Sequence, residues 1–108
     1  MKGQIAKALE DWKPELYRIN LALGVTELLA GLAEESSELA QAALKRRRAI
    51  DQRNPTPVTV AEATDKLYEE LADVLLVAAA LGINEYEVER HIRRKAARWI
   101  SRIEEGCK

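Results

Sequence analysis

The sequence predicts an all-α bundle of four to five helices, and three observations support this fold class. Apolar side chains recur at spacings of three, four and seven residues, which is the period of an amphipathic helix. No run of residues is typical of a β-strand. Ala and Leu fill most of the apolar positions and Phe is absent, a composition that suits close packing between helices.

Proline and glycine divide the N-terminal half of the chain. Pro14 marks a break or opens a new first turn, and Gly24 interrupts the helical pattern ten residues later. Thr26 is suited to be the N-cap of the helix that follows. The segments predicted to be helical here are Gln4 to Trp12, Glu15 to Leu23, and the stretch after Thr26 up to about Ile50.

The clearest loop is Asp51 to Val58, since its two prolines cannot continue a helix. Thr59 and Glu62 then form a capping-box pair that opens the next helix. That helix carries an apolar stripe and is predicted to end before Gly82, a residue type favoured just after a helix. The positions of its stripe are Leu67, Leu71, Val74, Leu75 and Ala78.

The last helix is predicted to start at Asn84, a favoured N-cap residue, and to continue to about Glu105. One of its faces is apolar, and we expect Trp99 on that face to lie in the core of the protein. The face consists of Val88, Ile92, Ala96, Trp99 and Ile103.

Length and charge exclude several classes of function. The 108 residues suit one domain, 1–108, and 17 Lys and Arg against 18 Asp and Glu give a formal net charge of -1. A general nucleic-acid binder usually has a basic excess. The longest apolar run, Val74 to Leu81, is too short to span a bilayer, and Met1 to Glu10 lacks the apolar segment of a secretory signal. We therefore expect a cytoplasmic protein that binds neither nucleic acid nor a membrane, with Cys107 as a free thiol.

Two acidic segments lie inside predicted helices, at 34–38 and 69–73. Residues three apart lie about 60° apart around a helix, so Glu35 projects on the same side as Glu38. Glu70 and Asp73 have the same spacing. If the two helices pack side by side, the four carboxylates converge.

A solvated acidic face is the alternative for either segment alone, and three features argue against it. No Lys or Arg follows these residues at the spacings that form helical ion pairs. Glu35 lies on an apolar stripe, between Leu32 and Leu39, and clustered, partly buried anions need a compensating cation. Both segments also share one spacing. Carboxylate oxygens suit Mg²⁺, with Mn²⁺ as the alternative. The full stripe is Leu28, Leu32, Leu39 and Ala43.

These residues resemble the MazG-type, all-α nucleotide pyrophosphohydrolases, whose signature is EExxE followed downstream by ExxD. The two motifs read EESSE at 34–38 and ELAD at 70–73, and the resemblance extends over roughly 28–102. It implies a hydrolase that converts a (d)NTP and water to a (d)NMP and pyrophosphate. A water activated by Mg²⁺ would attack the α-phosphorus, as the family precedent has it.

The resemblance also implies roles for individual residues. Glu34 would support the ligands or help to deprotonate the attacking water. Basic residues on the last helix would contact the phosphates, although a solvated face paired with neighbouring glutamates explains them equally well. Trp12, near a helix break, is the best candidate to stack on the base. The implied metal ligands are Glu35, Glu38, Glu70 and Asp73, and the basic residues are Lys95, Arg98 and Arg102.

Two other functions remain open at this point. Phosphoribosyl-ATP pyrophosphohydrolases resemble the chain in the same acidic motifs, but the Ser-Tyr-Thr-type segment expected upstream is missing. A non-catalytic helical interaction module would use the carboxylates only for solvation. In each case we expect a homodimer, with a homotetramer as the alternative, because Ala and Leu occupy more than one helix face.

Overall fold

The computed structural model describes residues 3–52 and 57–106, and it folds them into helices without a strand. This confirms the all-α fold class. Cys107 and residues 53–56 of the proline-containing loop lie outside the described residues. The four helices are α1 (Gln4–Asp11), α2 (Lys13–Asp51), α3 (Val60–Ala80) and α4 (Glu85–Gly106).

A kink at Gly24 divides α2 into two helical stretches. The backbone of Gly24 has φ 81° and ψ 167°, a conformation that only glycine adopts readily. The predicted interruption is therefore confirmed. The prediction that Thr26 caps the second stretch is wrong, because Gly24 is the non-helical residue and the helix has resumed before Thr26.

α2 and α3 form the main helix pair of the fold, and they run antiparallel. The side-chain amide of Asn20 donates to the backbone carbonyl of Ala80 at 2.8 Å, near one end of the pair. At the other end, Nε of Arg46 donates to Oγ1 of Thr64 at 2.9 Å. These two bonds fix the register in which the acidic segments of α2 and α3 face each other.

Small side chains line the contact between the two helices. On α2 the buried positions include Leu28, Ala42 and Ala49, and on α3 they include Ala63 and Ala80. The predicted stripe is thus correct in period but wrong at one position, since Ala43 is exposed and Ala42 is buried instead. Leu71, predicted on the α3 stripe, is 39% exposed.

The predicted caps of α3 and α4 are confirmed. The amide of Glu62 donates to Oγ1 of Thr59 at 3.1 Å, and the amide of Thr59 donates to Oε1 of Glu62 at 3.3 Å. Gly82 has φ 73° directly after the end of α3. Oδ1 of Asn84 accepts the amides of Tyr86 and Glu87 at the start of α4.

α4 differs most from the expectation, because none of its side chains is buried. Within the described chain it packs along neither α2 nor α3. Trp99 is 70% exposed and Ile92 61% exposed, so the prediction that Trp99 lies in the core of this chain is wrong. The apolar face exists as predicted, but no part of residues 3–52 or 57–84 covers it.

α2 also contains a stretch that is long and apolar enough to cross a membrane by length and composition, of which 11% is buried. The second half of α2 carries Glu34, Glu35 and Glu38. Length and composition alone are weak evidence for a membrane span.

Candidate metal centre

Four carboxylates converge between α2 and α3. Glu35 and Glu38 lie one turn apart on α2, and Glu70 and Asp73 lie one turn apart on α3. One oxygen from each of the four lies within 4.8 Å of the other three. The antiparallel pairing of the two helices therefore brings together the four residues that the spacing singled out.

Two of these carboxylates have an oxygen that lacks a partner. Glu70 is only 5% exposed, and Oε2 of Glu70 and Oε2 of Glu35 are buried without a hydrogen bond to any described residue. A buried charged acceptor that makes no hydrogen bond is costly. A cation bound between the helices would supply the missing partner for both oxygens.

The crowding of negative charge shows in the pKa of Glu35, which is raised above its usual value. Burial is the main cause, and the charges of Glu38, Asp73 and Glu70 add to it in that order. Each of these effects disfavours the ionised carboxylate. A divalent cation at this position would reverse them.

The residues present fit a hard divalent cation. All four candidate ligands offer carboxylate oxygen, and Mg²⁺ and Mn²⁺ prefer oxygen ligands in proteins. The cluster contains no Cys or His, so it does not favour a softer metal. The two unpartnered oxygens, which are already desolvated, are the observation that separates this cluster from an ordinary acidic surface.

Lys66 is a site residue that the sequence analysis missed. Its Nζ lies 2.9 Å from Oε1 of Glu70 and 3.7 Å from Oε1 of Glu69. The hydrogen bond to Glu70 is the first cause of a raised pKa of Lys66. Lys66 precedes Glu70 by one helical turn, whereas the expectation of missing ion pairs rested on the residues that follow each carboxylate. The argument that helical ion pairs are missing therefore fails for Glu70.

A groove of about 350 Å³ adjoins the carboxylates. It carries a lysine on each wall, Lys45 from α2 and Lys66 from α3. Lys45 lies near the C-terminal end of α2, and its place in the groove depends on which residues of α3 face it. The groove is lined by Glu38, Gln41, Ala42, Lys45, Lys66 and Glu70.

The remaining predicted residues lie outside this cluster. Glu34 is exposed on α2 and is not one of the four carboxylates that meet. Trp12 is 61% exposed and lies at the junction of α1 and α2. Its side chain is accessible for stacking, and nothing in the structure assigns it a ligand.

The structure does not bring the predicted phosphate-binding residues of α4 to the carboxylates. These side chains are exposed, and α4 packs along neither helix of the cluster in the described chain. His91, on the same helix, lies between two arginines, with Nδ1 at 2.9 Å from Arg94 and Nε2 at 3.4 Å from Arg90. The charge of Arg90 is the main cause of its lowered pKa. The residues not brought to the cluster are Lys95, Arg98 and Arg102.

Comparison with known proteins gave one match. The model of the MazG nucleotide pyrophosphohydrolase domain matches residues 24–102. Neither the search of curated proteins nor the search of solved structures returned a match. The matched range contains both acidic pairs, Lys45 and Lys66, together with nearly all of α3 and α4. With most of its length covered, the chain belongs to the MazG nucleotide pyrophosphohydrolase family.

Proposed function

We propose that this protein is a Mg²⁺-dependent nucleoside triphosphate pyrophosphohydrolase, which converts a (d)NTP and water to a (d)NMP and pyrophosphate. Family membership supports a nucleotide pyrophosphohydrolase. The observation that carries the proposal is the set of four carboxylate oxygens within 4.8 Å of one another, two residues of which have a buried oxygen without a partner.

All four residues of the cluster would hold the cation, and Glu38 would in addition face the substrate. Glu35, Glu70 and Asp73 are at least half-buried and would hold Mg²⁺ from both helices. Glu38 is exposed and also lines the groove, so a phosphate in the groove would lie next to the cation. When bound, Mg²⁺ would neutralise phosphate charge and lower the pKa of a coordinated water.

Proton removal would then fall to a carboxylate outside the four ligands. Glu34 is exposed and directly precedes Glu35 on α2. It is free of the buried cluster and could accept a proton from the water that attacks the α-phosphorus. This keeps the role expected from the sequence, with the other two glutamates of the motif, Glu35 and Glu38, assigned to the metal.

The test is pyrophosphate release from a panel of canonical and modified nucleoside triphosphates, with Mg²⁺ and with EDTA. Replacing even outer residues of a metal site typically costs 10- to 100-fold in activity or affinity, so Glu38→Ala should lower kcat/KM by about 100-fold or more. Glu27→Ala, an exposed carboxylate on the same helix, is the matched control and should retain activity.

The other outcomes point to the remaining functions. If pyrophosphate is released only from phosphoribosyl-ATP, that nucleotide is the substrate and the proposed one is wrong. Failure with every nucleotide, together with a melting temperature that Mg²⁺ leaves unchanged, would favour the helical interaction module, because a ligand that binds the native state must stabilise it.

A further inference from the structure

Resting on the proposed metal site, we propose that Lys66 is an exchangeable counter-cation. In the metal-free protein Lys66 neutralises Glu70. Once a divalent cation has taken over Glu70, Lys66 turns to the groove and binds the phosphate chain of the nucleotide together with Lys45.

Lys66 and a metal would compete for one carboxylate, that of Glu70. The Glu70 side chain is 7% exposed, and of its two oxygens one contacts Lys66 while the other has no partner among the described residues. A buried carboxylate needs a compensating positive charge. Lys66 supplies this charge now, and a cation bound by four carboxylates would supply more of it.

Lys66 can leave Glu70 without its ammonium group becoming buried elsewhere. Its side chain is 54% exposed, and lysine carries its charge on a flexible stem with three donors. Nζ already lies at the edge of the groove, and Glu69 at 3.7 Å offers only a longer, exposed contact. Release from Glu70 therefore leaves the ammonium free to take an anion in the groove.

The groove suits an anion only after a cation has bound to the carboxylates. Glu38 and Glu70 line it together with Lys45 and Lys66, so in the metal-free protein the lysine charges are offset by carboxylates. A bound metal would neutralise the two carboxylates. The groove would then carry the net positive charge of two ammonium groups on facing helices. This predicts an order of binding, with the metal first and the phosphates second.

The first experiment measures Mn²⁺ binding without nucleotide, from the loss of the free-ion EPR signal. Lys66→Met removes the competing cation and keeps the length of the side chain. We expect it to bind Mn²⁺ about three- to tenfold more tightly, because no ammonium then competes for Glu70, and the gain is modest because Lys66 is half-exposed. Lys66→Arg and Lys7→Met, an exposed lysine on α1, should bind Mn²⁺ as the unaltered chain does.

The second experiment measures pyrophosphate binding by calorimetry, with and without saturating Mn²⁺. The unaltered chain should bind pyrophosphate only with Mn²⁺, and Lys66→Met should then bind it about tenfold more weakly, a loss that one charge-assisted contact accounts for. Lys45→Met should show the weaker pyrophosphate binding without the gain in Mn²⁺ affinity. Lys7→Met should show neither change.

Three results would each overturn the exchange. The first two are unchanged Mn²⁺ affinity and unchanged pyrophosphate affinity in Lys66→Met. In the unaltered chain, the NMR resonances of the Lys66 side chain should shift on titration with Mg²⁺, and an unmoved resonance would also overturn it. If the unaltered chain binds no Mn²⁺, the proposed metal site itself fails. If the unaltered chain binds Mn²⁺ and is active, but replacing Lys66 changes neither affinity, the exchange is wrong while the proposed metal site and function stand.

Discussion

Glu70 is a charged side chain on the face of α3 that meets α2, with 5% of its surface exposed. A carboxylate in that position destabilises the fold unless it is compensated. Lys66 provides compensation on one oxygen only, and Glu35 repeats the problem with an unpartnered oxygen of its own. At the scale of single residues, the cluster is a group of anions prepared for a cation.

Glu35 gives the clearest prediction at this scale. Its pKa is raised above the usual 4.5, so the folded state binds this proton more tightly than the unfolded state. The free energy of unfolding should therefore fall as the pH rises from about 4.5 through the raised folded-state pKa. In Glu35→Gln this position cannot ionise, so its free energy of unfolding does not fall for this reason. In EDTA the variant should therefore become more stable relative to the unaltered chain as the pH increases.

Urea unfolding followed by circular dichroism at several pH values from 4 to 7.5 measures that difference. With Mg²⁺ at neutral pH the order should reverse, because the unaltered chain is stabilised by the ion and the variant loses a ligand. A difference that stays constant across the pH range would contradict the assignment of buried, repelled charge to Glu35.

Much of the site could be predicted from the sequence because both pairs of carboxylates lie on the packing faces of their helices. Glu35 continues the period set by Leu28 and Leu32, and helix period is a local property. Lys45 was harder to interpret, since its place in the groove depends on which residues of α3 face it. The contact of Lys66 with Glu70 was accessible from spacing alone, so that omission was one of reasoning.

At the scale of elements, breaks and caps were predicted where one residue type has a conformational reason to be there. Gly82 and Gly24 adopt positive φ, and the Thr59–Glu62 pair satisfies free amides at a helix start. Thr26 was misassigned because a threonine near a helix start is common and the sequence does not show where the backbone leaves helical geometry.

Gly24 should therefore be sensitive to substitution. At φ 81° and ψ 167° a side chain is strained even though no atom lies within 4 Å of a Cβ placed there, so Gly24→Ala should cost about 1–3 kcal/mol. Gly31→Ala is the matched control on the same helix. Its Cβ would make an ordinary contact of 3.9 Å with Val77, and helix propensity should make it neutral or stabilising by up to about 1 kcal/mol. Equal effects in thermal unfolding would contradict a role for the kink.

At the scale of the whole molecule, the packing of α4 could not be predicted. An apolar stripe shows that a helix face avoids water, but not whether the same chain or another one covers it. Trp99 illustrates this, since its position on the stripe was correct and its environment was wrong. The same ambiguity explains why the basic residues of α4 were expected beside the phosphates.

The exposed surface nevertheless argues for a second copy as the covering partner. The chain exposes 8891 Å², whereas a compact monomer of 12.1 kDa is expected to expose about 6,000 Å². Its radius of gyration is 17.1 Å, against about 13 Å for a compact chain of this length. The excess of about 2,900 Å² per chain, or about 5,800 Å² for a pair, is at the upper end of the total area that obligate homodimers bury. We therefore propose a homodimer in which the apolar face of α4, containing Ile92, Trp99 and Ile103, is covered.

Sedimentation velocity over a range of concentrations tests this proposal, and the unaltered chain should have the mass of a dimer. Trp99→Glu should shift the mass towards a monomer, because a charge would replace an aromatic side chain at the centre of the covered face. Tyr86→Glu is the matched control, an 83% exposed aromatic residue about 140° around α4 from Trp99, and should remain dimeric. If a second copy covers α4, its backbone amides should also exchange more slowly with deuterium as the unaltered protein is concentrated. A monomeric mass at every concentration would contradict the homodimer, since no second copy would then cover the apolar face of α4.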